Sequence, residues 1–333
     1  MRGAGQLLGV LCVVAYIVVL GGCGGTTGPG TSTGTSVGTA GKPPPPPTTS
    51  MIAFVRQERN ANYGIWVMYT NGTGATKLTS TGTSNSSNYP SWSADGRICF
   101  ASRRDGTPHI YTMNRDGSAQ TRITSEPNVS DLWPDWSRTQ DPSSPGYGRI
   151  AFERVGQAGW GWGFNTPTQG IYVVDANGGA AQFVTGTQPN DRHPSWSPDG
   201  RFIVFTGGSR TPQGFYVIPA GGATASLLVE SSRVQDFFRW SPQGDQIADS
   251  WGGVTPVSQV NGQWVAGTRR SLPQPAGTNL QARGWSPDEQ YLACQAVVNG
   301  DTAGATIRTV KVADGTYTGL AQGYCPDWSP ILP

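Results

Sequence analysis

The chain has 333 residues, 13% of them charged, and a net charge of +2, so it offers no electrostatic footprint for nucleic acid or other polyanions. Gly, Thr, Ser and aromatic residues dominate with little apolar periodicity of helical type, which excludes a helical bundle and favours an all-β fold. Beyond residue 50 the chain is long enough to bury a sizeable core.

The N-terminal segment reads first as an address. Arg2 precedes an apolar run from Leu7 to Leu20, which is short for a membrane span and suits the core of a signal peptide over residues 1–22. Leu20-Gly21-Gly22-Cys23 resembles a bacterial lipobox, in which small residues admit the signal peptidase and the cysteine thiol receives the lipid. The resemblance implies that Cys23 is the lipidated N-terminus of the mature chain, and that membrane contact is through this anchor alone. Residues 23–50 are almost entirely Gly, Thr, Ser and Pro, ending in the run Pro43 to Pro47, and are expected to form a disordered tether. Two Gly-x-Ser-x-Gly matches fall here, but a nucleophile elbow needs a strand-to-helix turn on a rigid sheet, which such a tether does not supply.

From residue 51 a repeat takes over. Its anchor, Trp-Ser, returns at Trp92, Trp136, Trp196, Trp240, Trp285 and Trp328, in steps of 44, 60, 44, 45 and 43 residues. A period of about 40–50 residues favours a four-stranded propeller blade, and six anchors give six blades. Each repeat reads as a short strand ending in Trp-Ser, a Pro/Asp/Gly turn, an apolar strand, a loop, a strand of Ile-Tyr-Val type, a Gly-rich turn and a short last strand. Proline stands two residues before the anchor at Pro90, Pro134, Pro194 and Pro326. Having no N–H to donate, it places the anchor strand at a sheet edge, innermost in the blade and facing the central channel.

Met51-Ile52-Ala53-Phe54-Val55 has a second-strand pattern with no Trp-Ser before it, whereas Tyr324 to Pro330 is a first strand with nothing after it. The C-terminal strand is therefore expected to complete the N-terminal blade and close the ring over residues 51–333. Blade three carries extra residues at Arg138–Gly148 and Val155–Gln169. Blade five carries Trp251–Gly267, which reads as an insertion between its second and third strands.

Trp-Ser-Pro-Asp-Gly-Arg-x-Ile-x-Phe, followed by Ser102-Arg103-Arg104-Asp105-Gly106 and Ile110-Tyr111-Thr112-Met113, resembles the WD40-like (PD40) repeats of TolB-type propellers. The best copies are residues 89–124 and 193–229, and the resemblance covers about 51–330. It implies a six-bladed β-propeller of a kind that occurs in periplasmic scaffolds, in the gating propellers of prolyl-oligopeptidase-like peptidases and in binding modules.

In such a ring the segments leading into each inner strand share one face with the loops between second and third strands. Tyr89, Trp133, His193, Phe237, Ala282 and Cys325 take equivalent positions around that mouth, with Asp131, Asp191, Arg192 and Asp236 just before some of them. The long loops add Trp160, Trp162 and Phe164, and Trp251 and Trp264. Exposed aromatics on a rigid face suit a partner surface or a sugar-stacking platform, so this is the expected binding face. Metal chemistry is poorly supplied, with only His109 and His193 in the chain, and no paired-carboxylate motif stands out. Cys99, Cys294 and Cys325 read as buried free thiols, although a Cys294–Cys325 disulfide is open. The expected function is a non-catalytic, membrane-anchored scaffold in the cell envelope, facing the periplasm or the exterior, that binds envelope proteins and takes no cofactor or metal. Glycan or cell-wall binding through the Trp loops is the alternative, and a propeller hydrolase or lyase is the third reading.

Overall fold

The computed structural model describes residues 50–58, 62–80, 86–156, 169–231 and 237–330. The signal segment, Cys23 and the tether lie outside the described residues, as do Trp160, Trp162, Phe164 and Asp236. Among the described residues every regular element longer than a turn is a strand, and the strands fall into six antiparallel sheets. Blade one is Tyr324–Trp328, Met51–Gln57, Tyr63–Tyr69 and Thr76–Lys77, in that order outward. The inner strands of blades two to six are Ser87–Trp92, Val129–Trp136, Asp191–Trp196, Phe238–Trp240 and Thr278–Trp285. The C-terminal strand completes the N-terminal blade: Ile52 pairs with Trp328 and Ala53 with Asp327, and Ser329 exchanges two 2.8 Å hydrogen bonds with Met51. The ring is thus a six-bladed propeller closed by its own terminus.

The Trp-Ser signature has two separable causes. All six anchor tryptophans are buried, and each lies in a cluster that joins two consecutive blades. Trp92, for example, packs among Ala53, Val55, Ile65 and Val67 of blade one and Ile98, Phe100 and Met113 of its own blade. Trp196 does the same between Ala151, Ile171 and Val173 of blade three and Ile203 and Phe205 of blade four. The serine holds the following hairpin. Ser197 Oγ accepts from the Phe202 N–H at 3.0 Å, and the Ser197 carbonyl accepts from Gly200, whose φ of 68° closes the turn. The same serine bond recurs at Ser93, Ser241 and Ser286.

Blade five departs from its sequence reading. Its second strand, Gln246–Asp249, turns at once through Gly252 into the third, Gly253–Val260, so no insertion lies between them. The third strand instead runs four residues past Pro256, the partner of Gln246, and folds back as a hairpin with Gln263–Ala266 before the short fourth strand Arg270–Ser271. Trp251 and Trp264 consequently sit at opposite ends of the blade. Trp251 is exposed at the second-to-third turn, whereas Trp264 packs edge-on against Trp240 and Phe202, at the end where the inner strands stop.

Candidate functional site

The inner strands define a channel with a leading mouth, where they begin, and a trailing mouth, where they end. At the leading mouth four of them carry the same irregularity. Tyr89, Trp133, His193 and Cys325 all have positive φ, between 45° and 56°. At each the pairing with the second strand slips by a residue, as between Asn88 and Ser91 or Arg192 and Ser195. Such a bulge bends the strand and re-aims a side chain, at a backbone cost of about 1–2 kcal/mol for a residue with a Cβ. The proline that follows each one occupies the slipped position, where a ladder N–H has no partner to lose.

The bulges bring aromatic rings together. Tyr89 stacks on Trp133 with centroids 3.8 Å apart, and Trp133 stacks on Phe237 at 5.6 Å. His193 meets both Trp133, at 4.5 Å, and Phe237, at 5.6 Å, edge-on. Burial pushes the Tyr89 hydroxyl well above the ordinary tyrosine range. Beside this ring lies Glu153, on the second strand of blade three, 3% exposed and 4.0 Å from Arg192. Burial pushes its carboxyl up to about 7 against the opposing pull of Arg192 and the His193 N–H.

Ala282, in blade six, does not extend the ring. Arg283, standing where four repeats have proline, occupies the bulge and lays its guanidinium 3.2 Å from the Phe237 ring centre and 5.0 Å from that of Trp133.

The trailing mouth opens into a cavity of about 360 Å³, lined by Trp136, Trp196, Trp240 and Trp285 and by Asp135, Arg138, Arg239 and Asp327. The residues just before the anchors clasp neighbouring blades here. Ser91 Oγ accepts from the Trp136 N–H at 3.1 Å, Asp135 from that of Trp196 at 2.7 Å, and Asp327 from that of Trp92 at 2.8 Å. Asp327 also holds Arg138 at 2.6 Å, and burial raises its carboxyl above the ordinary range despite that arginine and Arg239. Arg239 lies 3.8 Å from Asp135 without a hydrogen bond to it. Blade four's hairpin turn at this end is flanked on both sides. Ser144 of the Arg138–Gly148 loop donates to the Asp199 carbonyl at 2.6 Å, and the blade-five hairpin covers Phe202. Tyr147, Val260 and Val265 of these two excursions are exposed.

The remaining described acidic and basic residues of the expected face have definite partners. Asp131 receives two hydrogen bonds from Arg154, at 2.7 and 3.0 Å, and Asp191 is gripped by Arg210 at 2.7 to 3.2 Å. Each of these arginines lies over an aromatic pair of the second and third strands, Phe152 and Tyr172 or Phe205 and Tyr216. For Asp131, burial is outweighed by its bonds to His109 and Arg154, and the carboxyl is held below the ordinary range; for Asp191 burial prevails and raises it. Arg192 donates to Asn190 at 2.9 Å. Cys99, Cys294 and Cys325 are free thiols, and burial pushes Cys294 up to about 12. Among the described residues no group of three or more His, Cys, Asp or Glu is assembled for a metal. Glu153, Arg239 and Arg283 were not singled out from sequence. Arg283 carried a usable signal, the break in the proline series, whereas Glu153 sits in an apolar strand with no repeat-wide counterpart.

Six blades of Trp-Ser repeats around an aromatic-lined channel define a six-bladed β-propeller. The chain's fold is like that of TolB. A stretch of 87 residues is 39% identical to the Tol-Pal system protein TolB of Geobacter sulfurreducens, covering 24% of this chain and about a fifth (19%) of that protein's length. The structure of TolB from Acinetobacter baumannii superposes with a TM-score of 0.62 at 18% identity, over 86% of this chain and 68% of that one. Hydrazine synthase from Kuenenia stuttgartiensis gives the same TM-score at 15% identity, over 86% of this chain and 47% of that one, so the fold alone does not decide between scaffold and enzyme. No family model matches the chain.

Proposed function

We propose that this chain is a lipid-anchored propeller of the cell envelope that acts as a non-catalytic protein-binding scaffold. The observation that carries the reading is the contrast between the two ends of the channel. The leading mouth is filled by interlocked rings, and the Asp131 and Asp191 carboxylates beside it are committed to arginines. The trailing end is concave and flanked by two excursions that present Tyr147, Val260 and Val265 to solvent. A concave surface with exposed apolar flanks suits a protein segment better than a reacting small molecule. The partial identity to a Tol-Pal system protein supports an envelope setting and an envelope protein as the partner.

The test is in-cell crosslinking of the tagged full chain with mass spectrometry. Wild type is compared with Val260→Asp/Val265→Asp at the trailing face and with Trp160→Ala/Trp162→Ala in the blade-three loop. One discrete envelope protein, captured by wild type and lost in the trailing-face variant, is the expected result. Loss only in the loop variant would move the binding surface to the leading face, and capture by none would favour a glycan. Anchoring is checked separately: Cys23→Ser should move the chain from the membrane fraction to the soluble one.

A further inference from the structure

The channel contains a positive charge that the described residues do not balance. Arg283 is 7% exposed, and its Nε meets no hydrogen-bond acceptor. The ionisable groups that reach it are Cys325, Arg239 and Tyr89, none of them a carboxylate. Arg239 is a second guanidinium on the same channel, and its Nε is also buried without an acceptor. The acids nearby are already engaged: Asp327 binds Arg138 and the Trp92 N–H, and Asp135 binds Ser91 and the Trp196 N–H while facing Arg239 at 3.8 Å. Glu153, which like Arg283 reaches Tyr89, faces Arg192 at 4.0 Å. Among the described residues, pairing Arg138 with Asp327, Arg239 with Asp135 and Arg192 with Glu153 leaves one guanidinium over. Contact with the faces of Phe237 and Trp133 offsets part of its desolvation, and burial accordingly lowers its pKa to about 10. A buried charge without a counter-ion is otherwise strongly disfavoured.

We propose that the channel is a binding site for a small monoanionic carboxylate, which enters the trailing cavity lined by Arg239 and Gly284 and is held by Arg239 together with Arg283, the residue before Gly284, which lies behind the cavity against the Phe237 and Trp133 rings. Planar guanidinium donors match a planar carboxylate, and a single surplus positive charge matches a single negative one. The rings favour an anion with an apolar tail over a fully hydrated one. This inference goes beyond the scaffold reading, and its outcome does not depend on any protein partner.

The probe is acetate, exchanged for chloride at constant ionic strength with the full chain, read by melting temperature and by calorimetric titration. Wild type should show saturable acetate binding and a melting temperature that rises with acetate above the chloride baseline. Arg283→Met should weaken acetate binding by at least about tenfold, the order of one charged hydrogen bond. In chloride it should melt at or above wild type, because it removes an uncompensated buried charge. Arg239→Gln, at the more exposed of the two arginines, is the second variant should Arg283→Met not fold, and it should also weaken acetate binding. The proposal is overturned if wild type responds no differently to acetate and chloride, or if Arg283→Met binds acetate as wild type does.

Discussion

Glu153 is a side chain whose setting makes stability depend on pH. Its carboxyl is buried between the aromatic ring and Arg192, with Oε2 lacking a hydrogen-bond partner, and burial raises it from an ordinary 4.5 to about 7. A raised acid holds a proton in the fold that the unfolded chain has already released, so its contribution is fully present below about 4.5 and lost as pH rises to about 7. The penalty at pH 8 is on the order of 3 kcal/mol. Glu153→Gln should therefore be more stable than wild type by an amount that grows between pH 4.5 and 7 and is flat above. Denaturant titrations of both proteins across that range check it; a difference independent of pH would mean that Glu153 is ionised throughout. Asp131 works with the opposite sign. Its lowered carboxyl supports the fold at neutral pH and ceases to do so as pH falls through its folded-state value, so Asp131→Asn should cost most at neutral pH and progressively less as the solution is acidified below the ordinary aspartate range.

The blade-five hairpin meets the ring through Trp264, with Val257 and Ala266 packing on the same cluster. Trp264 packs on Phe202 and Trp240, while its neighbours Val260 and Val265 face solvent. Trp264→Ala should cost about 2–3 kcal/mol, less than a fully buried tryptophan would. The loss should appear as faster amide exchange over residues 257–266, with the inner strands unchanged; exchange accelerated across the whole ring would show that the hairpin is integral to blade packing. This hairpin also marks where sequence reading stops. The six anchors, the prolines and the Pro/Asp/Gly turns were legible because each is a residue type demanded by local geometry at a fixed period. Trp251–Gly267 was not, because Pro256 interrupts what is in fact the third strand and Gly252-Gly253 resembles a loop rather than a two-strand turn. The leading mouth was legible as a set of equivalent positions, yet not as a closed ring. Positive φ at Tyr89, Trp133 and His193 depends on a bulge that only pairing with the second strand reveals. The trailing cavity was missed altogether, since Asp135, Arg239 and Asp327 occupy a position that is Ser or Gly in the other repeats.

Closure of the ring rests on one five-residue strand, Tyr324–Trp328, contributed from the far end of the chain. It supplies Trp328 to the cluster of Ile52, Phe54, Met68, Ala293 and Ile307, and Asp327 to the backbone of blade two and to Arg138. Because every blade is sealed by its neighbours, removing this strand opens two interfaces at once and leaves Met51–Gln57 as a bare edge. Deleting the chain from Tyr324 onward should abolish cooperative melting and give aggregates. Smaller changes should scale with what each removes. Ser329→Ala, which loses the 2.8 Å bond to the Met51 N–H, should cost about 1 kcal/mol, and Trp328→Ala about 3–5 kcal/mol. A synthetic peptide spanning residues 324–333, added to the truncated chain during refolding, should restore a single melting transition. If the truncated chain melts cooperatively without the peptide, the other five blades hold the ring by themselves, and the C-terminal strand is an accessory to the fold rather than its closure.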